Sequence, residues 1–163
     1  MIWLGELVRI DKLVEIRNTL RSQGKKIVFT NGVFDLMHAG HVRLLKKAKS
    51  HDEVLVVGMN SDESVKKIKG PKRPIIEQKY RAEVLCALSI VDYVVIFDES
   101  TPEKTIERLK PDVHVKGGDW KAEELPEYKI VKSYGGKVAI EKSGFELTTT
   151  RIIERIVDAY SSR

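Results

Sequence analysis

A doubly wound α/β fold with a five-stranded parallel sheet is what the sequence predicts. Short apolar runs of about five to seven residues alternate with stretches whose apolar residues recur at helical spacing, the order that lays helices over both faces of a parallel sheet. The runs are rich in Val and Ile, as strands buried on both sides require. Glycines, prolines and hydroxyl residues punctuate the boundaries between them.

The elements follow in order. Asp11 reads as the N-cap of a helix with Leu13, Ile16 and Leu20 on one face, ending near Gly24. Residues 1–24 are thus expected to be a helical appendage to a single domain spanning residues 1–163. Residues 26–30 (Lys-Ile-Val-Phe-Thr) form the first strand, and residues 41–50 a helix that packs through Val42, Leu44, Leu45 and Ala48. Residues 53–59 are the second strand, followed by a basic loop and a helix over 77–88. The third strand is 91–97. Thr101-Pro102 opens a helix that closes near Leu109, with Thr as cap and Pro at the first helical position. The fourth strand, 112–116, is broken by Gly117-Gly118; a helix over 127–134 stops at Gly135-Gly136, and 137–141 is the fifth strand. An amphipathic helix over 150–160 carries Ile152, Ile153, Ile156 and Val157.

Composition narrows the function. The chain has 163 residues, 42% of them apolar and 33% charged, enough for one domain with a sizeable core. Its formal charge is +5, but seven Lys or Arg lie against Glu77 alone between Lys66 and Arg81. That window is net +6 and the remainder −1, so the charge is local. A local cationic segment suits a small polyanion such as a triphosphate, whereas a tracked nucleic acid backbone calls for a broad basic face. No apolar run reaches the roughly 18 residues of a membrane span. The first ten residues carry charge and lack the pattern of a secretory signal. A lone cysteine, Cys86 in an apolar run, fits a buried thiol in a reducing, cytoplasmic setting.

Chemistry concentrates where the first strand feeds its helix, at Thr30-Asn-Gly-Val-Phe-Asp-Leu-Met-His38-Ala-Gly40-His41. Two histidines three apart at a helix start point roughly the same way, beside free N–H groups and a partial positive charge: a cradle for polyphosphate. Gly40 lets backbone approach a ligand, and Gly32 permits an unusual turn. The same histidines could instead be polar turn residues, or zinc ligands, although no Cys or carboxylate lies at a convincing ligand spacing. A P-loop is excluded, since no Gly-x-x-x-x-Gly-Lys-Ser/Thr segment exists.

The stretch from Phe29 to His41 resembles the signature of the cytidylyltransferase-like nucleotidyltransferases, a Gly-x-Phe-Asp turn followed by His-x-Gly-His. More narrowly, Asn60-Ser-Asp, Lys69-Gly-Pro-Lys-Arg-Pro, Arg81-Ala-Glu-Val-Leu, Val91-Asp-Tyr-Val-Val-Ile-Phe and Val115-Lys-Gly-Gly-Asp119 are similar to the adenylyltransferase domain of bacterial ADP-heptose synthases. The resemblance covers about residues 24–156. It implies a Rossmann-like nucleotidyltransferase fold and transfer of AMP from ATP to D-glycero-β-D-manno-heptose 1-phosphate, with Mg²⁺ accompanying the ATP. It also implies a separate heptose kinase in the pathway to lipopolysaccharide core heptose, no nucleic-acid or membrane partner, and compatibility with a homo-oligomer. Related activities, a glycerol-3-phosphate cytidylyltransferase or an FAD synthetase, share the phosphate motifs, and a nucleotide sensor without turnover stands as a reading of a different class.

Residue by residue, the resemblance makes His38, His41 and Lys69 catalytic. Thr30, Asn31, Gly32, Phe34, Gly40, Lys67, Gly117, Asp119, Thr149 and Thr150 would contact the nucleotide. Arg81 matches a position near the phosphates but suits a structural ion pair equally well. The lysines could be solvated charges, Gly117-Gly118-Asp119 a bare turn, and Thr148 to Thr150 a helix cap. Glu146-Leu147 departs from the usual small lead-in to that last motif, which leaves Thr149 and Thr150 better choices than Thr148. No protein metal ligand is assigned.

Overall fold

The computed structural model describes residues 4–49, 53–142 and 147–161. Its strands are β1 (Glu6–Leu7), β2 (Ile27–Gly32), β3 (Val54–Asn60), β4 (Tyr93–Phe97), β5 (Val113–Gly117) and β6 (Lys137–Glu141). The helices are α1 (Ile10–Ser22), α2 (Ala39–Ala48), α3 (Asp62–Lys69), α4 (Gln78–Cys86), α5 (Glu103–Leu109), α6 (Tyr128–Ser133) and α7 (Thr149–Tyr160), with a 3₁₀ turn at Ala122–Glu124. All strand pairs are parallel, in the order β1-β4-β3-β2-β5-β6. The expected α/β fold is present with six strands rather than five. The chain runs outward from β2 through β3 to β4, then crosses to β5 on the other side. The switch point, where open sheets of this kind bind ligands, therefore lies between the carboxyl ends of β2 and β5.

Strand alternation divides the core into two layers. Val28, Leu55, Val57, Met59, Val94 and Val115 face a cluster with Leu45 and Leu85 from α2 and α4. Their neighbours Phe29, Val56 and Val95 face Leu13, Ile106, Leu109 and Val131 from α1, α5 and α6. Residues 6–22, read from the sequence as an appendage, thus supply an edge strand and a helix whose Leu13 is fully buried. Among the described residues no helix is long and apolar enough to cross a membrane.

Three local expectations are corrected. The basic segment after β3 is not all loop: Ser61 caps α3 by accepting from the Ser64 N–H, and Ser64 and Val65 are buried while Lys66, Lys67 and Lys69 crowd the last turn. Positive charge there complements the helix dipole. Asp11 is not the N-cap of α1. Arg9 holds that position without a side-chain cap, and Asp11 lies in the first turn, paired with Arg108. At α5, Pro102 is itself the N-cap and Thr101 bonds Glu103 instead. Ser50, the expected end of the second helix, and Glu146 lie outside the described residues.

Candidate active site

The turn from β2 into α2 is organised by its two histidines. His38 is the N-cap of α2, and its Nδ1 accepts from the Gly40 N–H at 3.1 Å. The His41 Nδ1 accepts in return from the His38 N–H at 3.4 Å, and the rings lie 3.8 Å apart. Each Nδ1 is therefore an acceptor, so a neutral ring must carry its proton on Nε2. The His38 and Gly40 N–H groups are both satisfied in this way. Phe34, buried and at φ 50°, packs against His41 with ring centroids 5.2 Å apart and the rings inclined at 51°. A Cβ at Gly40 would come within 2.9 Å of the His38 ring, so only glycine leaves this arrangement undisturbed.

The electrostatics follow from burial. Desolvation, and then the neighbouring His38, push the His41 pKa down to about 4; desolvation lowers His38 as well. Deeper in the sheet, His114 on β5 is fully buried and also pushed down to about 4, by desolvation first. A group with a depressed folded pKa binds its proton more readily in the unfolded chain, so folding loses stability as pH falls from about 6.5 toward 4. Urea midpoints should therefore drop between pH 6.5 and 4.5, with a smaller drop in His114→Asn. A midpoint independent of pH over that range would contradict the assignment.

Beside the histidines opens a cleft of about 640 Å³ whose walls include His38, Gly40, Gly117, Gly118 and Thr148. Arg43, Lys46 and Lys47 of α2 add positive charge along it, with Lys47 paired to Glu141 at 3.2 Å. These α2 cations escaped the sequence reading, although their place on the histidine-bearing helix was the available signal. The loop after β5 therefore does meet the histidine turn. Asp119 lies exposed just beyond it. At the last helix, Thr148 rather than Thr149 reaches the cleft wall, and it also caps α7 by accepting from the Arg151 N–H. Thr149 donates to the Leu36 carbonyl at 3.4 Å, and Thr150 is exposed.

Other expected residues sit apart. Lys67 and Lys69 are exposed at the end of α3 and do not line the cleft. Asp35 anchors the segment that follows: its carboxylate accepts from Arg73 Nε at 2.6 Å and from the Ile75 and Ile76 N–H groups. Arg81 is 1% exposed, and its guanidinium donates to the Val33, Asn60 and Ile76 carbonyls and to Asp62. Thr30 is buried with its hydroxyl unpartnered, and Gly32 packs under the Phe34 ring.

Asn31 faces away from Thr30, as strand alternation demands. Its Oδ1 lies 3.2 Å from His114 Nε2 and 3.4 Å from Lys116 Nζ, and Lys116 is in turn held at 3.0 Å by Glu127. His114, Lys116 and Glu127 also escaped the sequence reading. A lone His and Lys in the apolar strand Val113-His-Val-Lys were the visible hint.

A family model of cytidylyltransferase-like proteins matches residues 29–155, from the end of β2 almost to the end of α7. The chain belongs to the cytidylyltransferase-like family. As a member it is a nucleotidyltransferase, and the histidine pair sits within the matched region. It is 51% identical over 156 residues to the bifunctional protein HldE of Geobacter metallireducens, covering 96% of this chain and 32% of that one. It is 49% identical to the bifunctional protein HldE of Geobacter sulfurreducens over the same share. The chain thus spans about a third of the length of these relatives. Among solved structures, a lipopolysaccharide core biosynthesis protein from Thermoplasma volcanium is 30% identical with TM-score 0.57, covering 72% of this chain and 94% of that one. A pantoate-beta-alanine ligase from Francisella tularensis, complexed with β,γ-ATP and β-alanine, shares the fold at TM-score 0.61 and 20% identity, covering 98% and 80%.

Proposed function

We propose that this nucleotidyltransferase moves AMP from ATP to D-glycero-β-D-manno-heptose 1-phosphate, giving ADP-heptose and pyrophosphate. The histidine pair carries the reaction class: two Nε2–H donors are pre-set by the α2 cap, and His38 lines a cationic cleft of nucleotide size, with His41 packed behind it. The heptose assignment rests on the motifs shared with ADP-heptose synthases and on about half identity to the HldE proteins across nearly the whole chain.

An oxygen of the sugar 1-phosphate attacks the α-phosphorus in line; the new O–P bond forms as the bond to the β-phosphate oxygen breaks and pyrophosphate leaves. The nucleophile is already anionic, so no general base is needed, and catalysis falls to positioning and to charge stabilisation. His38 and His41 donate to the phosphoryl oxygens as charge builds. Each donates through Nε2–H as a neutral ring, because its Nδ1 is held as an acceptor in the α2 cap. The Asn31-Gly32 backbone and Phe34 shape the turn, Gly40 and Gly117 give close approach, and Thr148 stands in the cleft wall while Thr149 ties α7 to the turn through the Leu36 carbonyl. In this reading Lys67 and Lys69 keep the phosphate role that the resemblance assigns them, from the exposed end of α3 outside the cleft. Asp119 is placed to meet a ribose hydroxyl.

Among the described residues no group of three or more His, Cys, Asp or Glu is arranged to hold a metal, and the cleft's Glu141 is paired with Lys47. That donor set fits a Mg²⁺ carried by the phosphate oxygens of ATP. When bound, the ion neutralises phosphate charge. A sugar kinase activity would supply the sugar 1-phosphate, in the cytoplasm.

The test is pyrophosphate release from ATP or CTP with β-heptose 1-phosphate and Mg²⁺, with the product identified by mass spectrometry. ADP-heptose is the expected product. Turnover with CTP alone, or only with another acceptor, would reject the heptose assignment and keep the reaction class.

A further inference from the structure

The Asn31, His114, Lys116 and Glu127 cluster lies across the sheet edge from the histidine cleft. Strand alternation puts Phe29 and Asn31 of β2, and His114 and Lys116 of β5, on the α5 and α6 face, where Phe29 and His114 touch at 5.8 Å. Leu44 and Gly117, by contrast, line the cleft on the α2 face. The cluster therefore occupies the same switch point from its other side.

Its hydrogen bonds have a direction. A lysine ammonium only donates, so the Asn31 amide must present Oδ1 to Lys116 and to His114. His114 is then the Nε2–H tautomer, consistent with its buried Nδ1 having no partner. Glu127, 1% exposed, accepts from Lys116 through Oε1. Two acceptors, Glu127 Oε2 and His114 Nδ1, are buried without a partner. Donor capacity remains as well: the Asn31 Nδ2 group, which has no partner among the described residues, and the third N–H of Lys116, whose side chain keeps 22% of its surface exposed. Donors converging at a ligand-binding edge suit an oxygen-rich anion.

We infer that Asn31 and Lys116 form the subsite for the phosphate of the acceptor, with His114 and Glu127 as positioning residues. This rests on the phosphoryl-transfer reading above. In-line displacement needs nucleophile and leaving group on opposite sides of the α-phosphorus. With the histidines holding the polyphosphate on one face, the attacking phosphate enters from the other, where Lys116 and Asn31 wait.

Lys116→Met tests it. Because that change strips buried Glu127 of its cation, the double variant Lys116→Met/Glu127→Gln is made beside it, and both are checked for folding by circular dichroism. The expected result is a KM for β-heptose 1-phosphate raised about 10- to 100-fold, the loss that goes with one charge-assisted hydrogen bond, with the KM for ATP within about twofold of the wild type. An unchanged acceptor KM in a folded variant, or a loss that falls on ATP instead, overturns the subsite. If the wild type does not turn over the heptose phosphate, the functional reading fails separately. The subsite is then read by calorimetry on protein saturated with α,β-methylene-ATP, titrated with glucose 1-phosphate, glycerol 3-phosphate and inorganic phosphate. Binding to the wild type that weakens at least tenfold, on the same hydrogen-bond scale, in the variants supports it; equal binding, or none by any phosphate, overturns it.

Discussion

His41→Ala is expected to lower kcat about 10²- to 10³-fold, the loss of roughly 2.7 to 4 kcal/mol that follows removal of one preorganised transition-state donor. The reason is specific to how the ring is held. Its Nδ1 is occupied by the His38 N–H and its ring packs against both His38 and Phe34, so Nε2–H is held in place before substrate arrives. Alanine at a helix start keeps the backbone and deletes that donor. The KM for ATP should change less than kcat, because the bond strengthens as charge builds on the transferring phosphoryl group. Stopped-flow pyrophosphate release at saturating substrates measures it. An unchanged rate in the folded variant would remove His41 from the chemistry and leave it a cap residue.

Arg81→Ala should instead strike stability, by about 3 to 5 kcal/mol, the usual cost of breaking a buried charged network from one side. Arg81 joins four pieces of chain: the turn after β2 through Val33, the end of β3 through Asn60, the approach to α4 through Ile76, and α3 through Asp62. Without it three carbonyls lose their donor and Asp62 loses its cation. At about 2 to 4 °C per kcal/mol for a chain of this size, the thermal midpoint should fall on the order of 10 °C. Arg81→Lys would rescue little, since an ammonium cannot reproduce the fork. Thermal melts followed by circular dichroism decide it, and a shift below about 1 kcal/mol would show the network to be dispensable. Activity should fall too, because one of the four segments is the turn after β2 that leads into the histidine-bearing helix.

The contrast between these residues shows what could be read from the chain. His38 and His41 are three apart, and their strand, turn and helix are one continuous segment, so local spacing was enough to bring them together. The five longer strands were legible for the same local reason, each being an apolar run bounded by turn residues. The edge strand Glu6–Leu7 has only two residues, both exposed, and exists because β4 offers it a backbone ladder. No side-chain pattern encodes that. Helix α3 was hidden because its exposed face carries nearly all the charge and only Ser64 and Val65 are buried.

The sequence by itself determined the alternation of strands and helices, the histidine-bearing turn and the reaction class that turn serves, because each depends on residues within a few positions of one another. Tertiary structure alone decided that Arg81 is a buried pin, that Thr148 and the α2 cations wall the cleft, and that Asn31 meets His114 and Lys116. Those contacts join residues up to 113 positions apart, such as Thr149 and Leu36, and they exist only because the sheet order places β2 beside β5 and brings α7 back to the first turn.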